Sequence, residues 1–342
     1  MALSKTEEKL LRSIIVPSEN NPNEPEFPPD NPKFPATPTY KIKIPGFSNV
    51  WLKDDSINKY SGTHKDRFAW EIVVLYRNFL MAKKRKQLKG PLPKFSIISS
   101  GNAAIAIGRM LRDYKLPRLK VLMDDRIDKK ISKAIENSHC ELFFTDLSKK
   151  ALSPREILKF TDNKEGFDIT SNLGVGKEVG NYDWMGYEVI NSSPDYCFIP
   201  FGTGTIFDKI LELNKLEVGY NKKDPRFKGD VNKLRNCNFM GVTTDNPESK
   251  ADKLFAHHLP YHAVDEEWIR FYIKSGFVGP MTGVYQIQEK HLEKASQLAN
   301  SQGINCEPSG IAGLALMLQM KKKLPKNKKM LIVNTGKIKL SL

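Results

Sequence analysis

The feature that most constrains this chain is an alternation that sets in at residue 94. "KFSIISS" is a short apolar run of strand type, "NAAIAIGRMLRDY" has helical spacing, and "LKVLMDD", "DKKISKAIENS", "CELFFTD" and "SPREILKF" repeat the pair twice more. Strands buried on both faces read as near-continuous apolar runs, and helices between them supply the crossovers that parallel strands need. A second set follows: "DYCFIPF" with "GTGTIFDKILEL", "NCNFMGVTT" with "ESKADKLFAHH", the helices "EEWIRFYIKSGF" and "QEKHLEKASQLANSQ", then "PSGIAGLALMLQM" and the strand "KMLIVNT". Upstream, "YKIKIPGFSNVWLKDD" alternates like a hairpin, and the next stretch carries Phe68, Ile72, Leu75, Phe79 and Leu80 at helical spacing. Three βα units in the middle, flanked by a set completed from both ends, predict an α/β molecule. Its two open, mostly parallel-sheet lobes are a smaller, mobile one over 91–177, inserted in a larger one made of 37–90 and 178–342.

Residues 1–36 stand apart as a short helix over 5–15 and a proline-rich arm. Eight of the 21 prolines fall in 17–38, and proline lacks the donor that a helix interior or central strand requires. This segment is an arm wrapping the body, or a linker. The chain carries 54 Lys and Arg against 39 Asp and Glu, a formal charge of +15, which favours anionic ligands through its long-range field. Two clusters, "KKRKQLK" at 83–89 and "KKKLPKNKK" at 321–329, interleave neither exposed aromatics nor a nucleic-acid motif. They read as solvated helix ends and loops rather than as a nucleic-acid or membrane surface. Cys140, Cys197, Cys237 and Cys306 form no CxxC pair, which points to reduced thiols and no metal site. No apolar stretch approaches the roughly 20 residues of a membrane span, and the N-terminus is unlike a secretory signal, so the expected location is cytoplasmic.

In open α/β sheets ligands collect at the carboxyl ends of strands, which singles out three junctions. At "SIISSGNAA", Ser99, Ser100, Gly101 and Asn102 offer hydroxyls, a glycine and an amide before a helix, and alone they equally describe a helix cap. At "PFGTGTIF", Gly202, Thr203, Gly204 and Thr205 can turn successive amides toward one point at a helix N-terminus and cradle a phosphate, although a bare βα turn has the same form. It is neither a Walker loop nor a dinucleotide fingerprint. At "IVNTGK", Thr335 places an uncharged hydroxyl after a buried strand, as would a plain terminal turn.

The order of these signals, with Lys65 in "SGTHKDR" before them and "EPSGIAGLAL" at 307–316 between the last two, resembles the tryptophan-synthase-β-like, fold type II family of pyridoxal-phosphate enzymes. The resemblance runs from Thr37 to Gly336. It implies pyridoxal 5'-phosphate as cofactor, with Lys65 forming the Schiff base, Asn102 at the ring hydroxyl, Gly202 through Thr205 on the phosphate and Thr335 beside the pyridine nitrogen. It also implies that Ser99, Ser100, Gly101 and Asn102 hold the substrate carboxylate, that Glu307-Pro308-Ser309 packs near the ring, and that the molecule is a homodimer acting on a small amino acid. A lysine forms a Schiff base only when its amine is neutral part of the time, which a desolvated cleft and a cationic neighbour such as Arg67 would favour. The freed amine is then the base for the α-proton.

Departures from the family pattern fall on substrate handling. His64 stands where relatives have an apolar ring, either as a second proton carrier or as packing behind the cofactor. Ala103 and Ala104 replace polar residues after "SSGN", and the phosphate loop lacks a further glycine. Thr335-Gly336 is similar to threonine synthases, which implies elimination or replacement at Cβ or Cγ of an activated amino acid. A cysteine-synthase-like replacement on an O-activated serine, an ammonia-lyase, and a cofactor-binding scaffold without turnover are the other readings.

Overall fold

The computed structural model describes Lys5 and residues 34–99, 101–170, 182–221, 223–255 and 266–340. Ser100, the helix expected at 5–15 apart from Lys5, and the arm up to residue 33 lie outside the described residues.

The larger sheet has six strands: β1 (Thr39–Ile42), β2 (Val50–Asp54), β7 (Tyr196–Pro200), β8 (Asn238–Thr243), β9 (Gly283–Gln286) and β10 (Met330–Asn334). Their spatial order is β1-β2-β10-β7-β8-β9. Strands β1 and β2 form the expected antiparallel hairpin, Thr39 opposite Lys53, and every other neighbouring pair is parallel. The chain's last strand thus lies between its second and its seventh, so the large lobe is closed only when the C-terminus returns. The smaller sheet contains β3 (Phe95–Ile98), β4 (Leu119–Asp124), β5 (Cys140–Thr145) and β6 (Phe167–Asp168) in the order β5-β4-β3-β6, all parallel. It occupies the inserted position.

Helix α1 (Lys65–Lys84) follows β2, and α2 (Asn102–Asp113), α3 (Lys129–Glu136) and α4 (Pro154–Phe160) cross between the small strands. In the large lobe α5 (Asp183–Asn191), α6 (Thr205–Gly219), α7 (Val231–Leu234), α8 (Glu266–Lys274), α9 (Glu289–Ser301) and α10 (Ala312–Gln319) complete the layers. Helix α10 is apolar on every side and all but its last residue are buried, as expected of a helix sandwiched inside a lobe. Two clusters of buried side chains sit on opposite faces of the large sheet. One centres on Leu331 and Val333 with α1 and α6, and the other on Met330 and Ile332 with α9 and α10. Alternate residues of β10 serve alternate faces, the period-two rule for strands.

Strands β6 and β9 are absent from the sequence reading: β6 has two residues, and β9 alternates half-buried and exposed positions without an apolar run. The segment paired with "NCNFMGVTT" carries only a 3-10 turn, Asp252–Leu254, among its described residues. Cys140, Cys197 and Cys237 are buried free thiols, and Cys306 is half-buried and free. No helix among the described residues is long and apolar enough to cross a membrane, and no group of His, Cys, Asp and Glu among them could hold a metal ion.

Candidate active site

Strand β2 leads through residues 55–64 into α1, whose first residue is Lys65. The turn before it is held by Asp66, whose carboxylate accepts from the backbone N–H of Tyr60 at 2.6 Å and of Ser61 at 2.8 Å. Thr63 Oγ1 accepts from Lys65 N at 3.2 Å, an ordinary satisfaction of a helix-end donor. Lys65 is half-buried. Its Nζ donates to the phenol oxygen of Tyr182 at 3.1 Å and lies 5.9 Å from the centre of the Phe68 ring.

The lysine turn is stitched to the end of β10. Thr63 and Gly336 form an isolated antiparallel bridge, and His64 N donates to Thr335 O at 3.0 Å. Backbones approach so closely here that a Cβ on Gly336 would lie 2.1 Å from Gly62 O, and one on Gly310 would lie 2.4 Å from Gly336 O. Gly336 also has a φ of 93°, so glycine is required twice over at this position. The sequence stretches around Lys65, Glu307 and Thr335 are therefore one contiguous piece of structure.

Strand β10 pairs with β7, Ile332 opposite Phe198, so the residues just past the two strands emerge side by side about 5 Å apart. Thr335 follows one strand, and Gly202 to Thr205 follow the other and open α6. Gly204 is the left-handed N-cap of that helix, φ 82°, and Thr203 and Thr205 hydroxyls lie 3.0 Å apart. Thr203 is exposed and Gly202 and Thr205 are half-buried, so unpaired helix-end N–H groups and two hydroxyls face an anion's approach.

From the small lobe, β3 delivers Ser99, Gly101 and Asn102 to the N-terminus of α2. Ser99 Oγ accepts from Gly101 N and Ala104 N at 3.4 and 3.3 Å, so it serves its own loop and one donor of the first turn of α2, whose N-cap is Gly101. Asn102 Nδ2 donates to Glu307 Oε1 at 3.5 Å, while its Oδ1 is buried with no hydrogen-bond partner. Glu307 also pairs with Lys253, and the Lys253 backbone oxygen is what a Cβ on Gly202 would strike at 2.8 Å. A chain of contacts thus joins Asn102, Glu307, Lys253 and the glycine-threonine turn. Two surface concavities, one lined by Arg118, Lys133 and Phe144 and the other by Leu216, Glu217 and Tyr220, include none of these residues.

Two electrostatic expectations change. Arg67 does not serve as a bare cation beside Lys65: it is 2% exposed and paired with Asp55 at 2.8 Å and Glu188 at 2.8 Å, in a buried network with Lys53. Asp55 and Glu188 compensate its charge, and the pairing holds the guanidinium protonated and Asp55 below the usual carboxylate range. His64 is pushed down to about 3, first by burial and then by the adjacent Lys65 charge. Its Nδ1 lies 3.4 Å from Thr335 O. A carbonyl only accepts, so Nδ1 carries the proton and the ring is neutral, a hydrogen-bonded spacer behind the lysine. Residue reasoning missed Tyr182, Lys253 and the Lys53-Asp55-Arg67-Glu188 network, because no local pattern links Lys65 to Tyr182 over 117 residues, Arg67 to Glu188 over 121 or Lys253 to Glu307 over 54.

An aromatic aldehyde bearing a phosphate fits this donor set. The unpartnered Asn102 Oδ1, the hydroxyl-lined helix end and the pinned turn that carries the amine are linked through Glu307, which contacts Asn102, Lys253 and the Gly336 backbone. Solved structures share the architecture. The processed form of threonine deaminase isoform 2 from Solanum lycopersicum superposes with a TM-score of 0.58 at 15% identity, covering 85% of this chain and 75% of that one. O-ureido-L-serine synthase gives 0.60 at 16%, with 90% and 92% covered, and diaminopropionate ammonia lyase from Escherichia coli gives 0.61 at 15%, with 98% and 89% covered. No curated protein matches the chain by sequence. The family model described as "Pyridoxal-phosphate dependent enzyme" matches residues 33–336; the chain belongs to this family of pyridoxal-phosphate-dependent enzymes, and its cofactor is pyridoxal 5'-phosphate.

Proposed function

We propose that the protein catalyses elimination or replacement at Cβ or Cγ of an activated amino acid, in the manner of a threonine synthase, with Lys65 as the residue that binds the cofactor covalently and moves the α-proton. The observation that supports this reading is the Thr63-Gly336 bridge, which joins the turn carrying Lys65 to the segment just past β10 that carries Thr335, beside β7, from which the 202–205 turn follows. In this assignment Gly202, Thr203, Gly204 and Thr205 hold the phosphate, Asn102 orients the ring hydroxyl and Thr335 faces the ring nitrogen. The loop of Ser99, Ser100, Gly101 and Asn102 receives the substrate carboxylate; Ser99 does so while accepting from Ala104 N in the first turn of α2, and Ser100 lies outside the described residues.

When bound, the cofactor supplies the electron sink for the negative charge developed at the α-carbon. The chain's own residues orient, exclude water and carry protons. Lys65 Nζ takes the α-proton as a base and returns it. A neutral hydroxyl at the ring nitrogen, in place of a carboxylate, limits how far charge spreads into the ring and favours loss of a leaving group. The net charge of +15 draws anionic substrates toward the cleft.

A second reading, an ammonia-lyase, is favoured by the likeness to structures named threonine deaminase and diaminopropionate ammonia lyase. One experiment separates the two. The holoenzyme is offered serine, threonine and their O-phospho, O-acetyl and O-succinyl derivatives, with and without added thiol, while released leaving group, ammonia and solvent deuterium at the α-carbon are measured. Release of phosphate or acyl group from an O-activated substrate supports the proposal, with the amino nitrogen retained in the product when a nucleophile replaces the group and lost as ammonia when elimination ends the reaction, provided that free serine and threonine release none. Ammonia with a keto acid from free serine or threonine supports the lyase, and absence of α-deuteration with all of them refutes both.

A further inference from the structure

The Tyr182 phenol is the one described side-chain oxygen within hydrogen-bond distance of the Lys65 amine, at 3.1 Å. Tyr182 comes from the N-cap of α5, 117 residues away in the chain, and is 3% exposed. Its backbone is left-handed, φ 69° and ψ 13°, a conformation unfavourable for a bulky side chain. Such a residue persists where the surroundings over-determine it, and outliers of this kind cluster at functional sites. The ring is held by more than its hydroxyl: its centroid lies 5.6 Å from that of His64, tilted by 42°, and 5.7 Å from Lys65 Nζ. His64 is in turn tied by its backbone to Thr335. The phenol therefore stands on a frame that also carries Thr335 and the lysine itself.

We propose that Tyr182 is a positioning residue for the Lys65 amine, its phenol oxygen accepting one N–H so that Nζ is held at one place instead of sampling the rotamers of a four-carbon chain. The inference rests on the reading of Lys65 as the reactive lysine. Lysine's rotatable four-carbon stem gives the free amine many rotamers, and a fixed acceptor removes much of that freedom before reaction. The same oxygen can accept from the amine in both its neutral and its protonated form, so the residue holds the amine on either side of a proton transfer without changing its own charge. Sequence periodicity gives no hint of this role, because Tyr182 and Lys65 are 117 residues apart.

The test uses the full chain freed of cofactor, and Tyr182→Phe, which keeps the ring and removes the oxygen. Both proteins are treated briefly with acetic anhydride, and acylation of Lys65 is measured by peptide mass spectrometry against Lys59, whose side chain is 75% exposed. Loss of one hydrogen bond of ordinary strength is expected to raise the Lys65-to-Lys59 ratio about fivefold, with an unchanged thermal midpoint. In the loaded enzyme kcat should fall while KM moves little. In parallel, the wild-type holoenzyme is reduced with borohydride and the modified lysine mapped. Label on Lys65 with an unchanged acylation ratio overturns the role of Tyr182 and leaves the function intact. Label on another lysine removes the proposed function and this assignment with it.

Discussion

Single residues carry the proposed chemistry, and each has a reason beyond its type. Lys65 is exceptional among the chain's many lysines because its turn is held by Asp66 and bridged to Gly336, not because of any property of the side chain. Replacing it, Lys65→Ala, should abolish borohydride-fixable cofactor and lower turnover on the order of 10³-fold, read by visible absorbance and product release. His64, pushed down to about 3, carries a sign that can be checked. The unfolded chain binds this proton below about 6.5 while the folded chain does not, so folded stability is lost as pH falls from about 6.5 toward 3. His64→Phe should flatten that part of the urea-midpoint profile and leave the neutral region unchanged. A profile that keeps its acid slope in the variant would contradict the neutral imidazole.

Elements explain why glycines matter unequally. Gly336 ends β10 with φ 93° and a Cβ position only 2.1 Å from Gly62 O, whereas Gly303, φ 70°, has nothing within 4 Å. Both alanine variants incur the left-handed penalty of about 1–2 kcal/mol. Gly336→Ala must also push apart two backbones, so its urea-derived loss should exceed that of Gly303→Ala by at least about 1 kcal/mol and be accompanied by weaker cofactor retention. Equal losses would mean that the bridge yields easily. The same scale accounts for α6: a left-handed Gly204 lets the chain leave β7 and start a helix at once, which is how the turn presents helix-end donors.

Across the whole molecule a buried charge network ties α1 to α5, and a second buried carboxyl on α1 faces the charges around α5. Lys53, Asp55, Arg67 and Glu188 join β2, α1 and α5, with the Thr37 hydroxyl donating to Asp55 at 2.5 Å. Asp55→Asn leaves two buried cations sharing Glu188 alone, and should cost about 3–5 kcal/mol in denaturant unfolding. Glu71, on α1, is 6% exposed and pushed up to about 8, by burial first and by Asp183 next, against Lys209 and Arg226. Between about 4.5 and 8 the unfolded chain has lost this proton and the folded chain retains it, so stability falls as pH rises, by at most about 1.4 kcal/mol per pH unit. Glu71→Gln should therefore stabilise the protein most at the alkaline end of that window, and a pH-independent difference from wild type would count against the protonated carboxyl.

The apolar runs from residue 94 onward and the order of lysine, asparagine, glycine-threonine turn and terminal threonine determined by themselves the α/β class, the inserted lobe and the family, because buried parallel strands and helix-end turns leave local, periodic traces. The six-stranded order was decided only in three dimensions, since β10 slots between β2 and β7 through backbone hydrogen bonds that every sequence can make. So were β6 and β9, too short or too alternating to announce themselves. The partners of Lys65 and Arg67 belong to the same class of fact. Which carboxylate neutralises the arginine, and which phenol meets the lysine, depends on distances of a few ångströms between elements, and those distances are set by packing rather than by any neighbour in the chain.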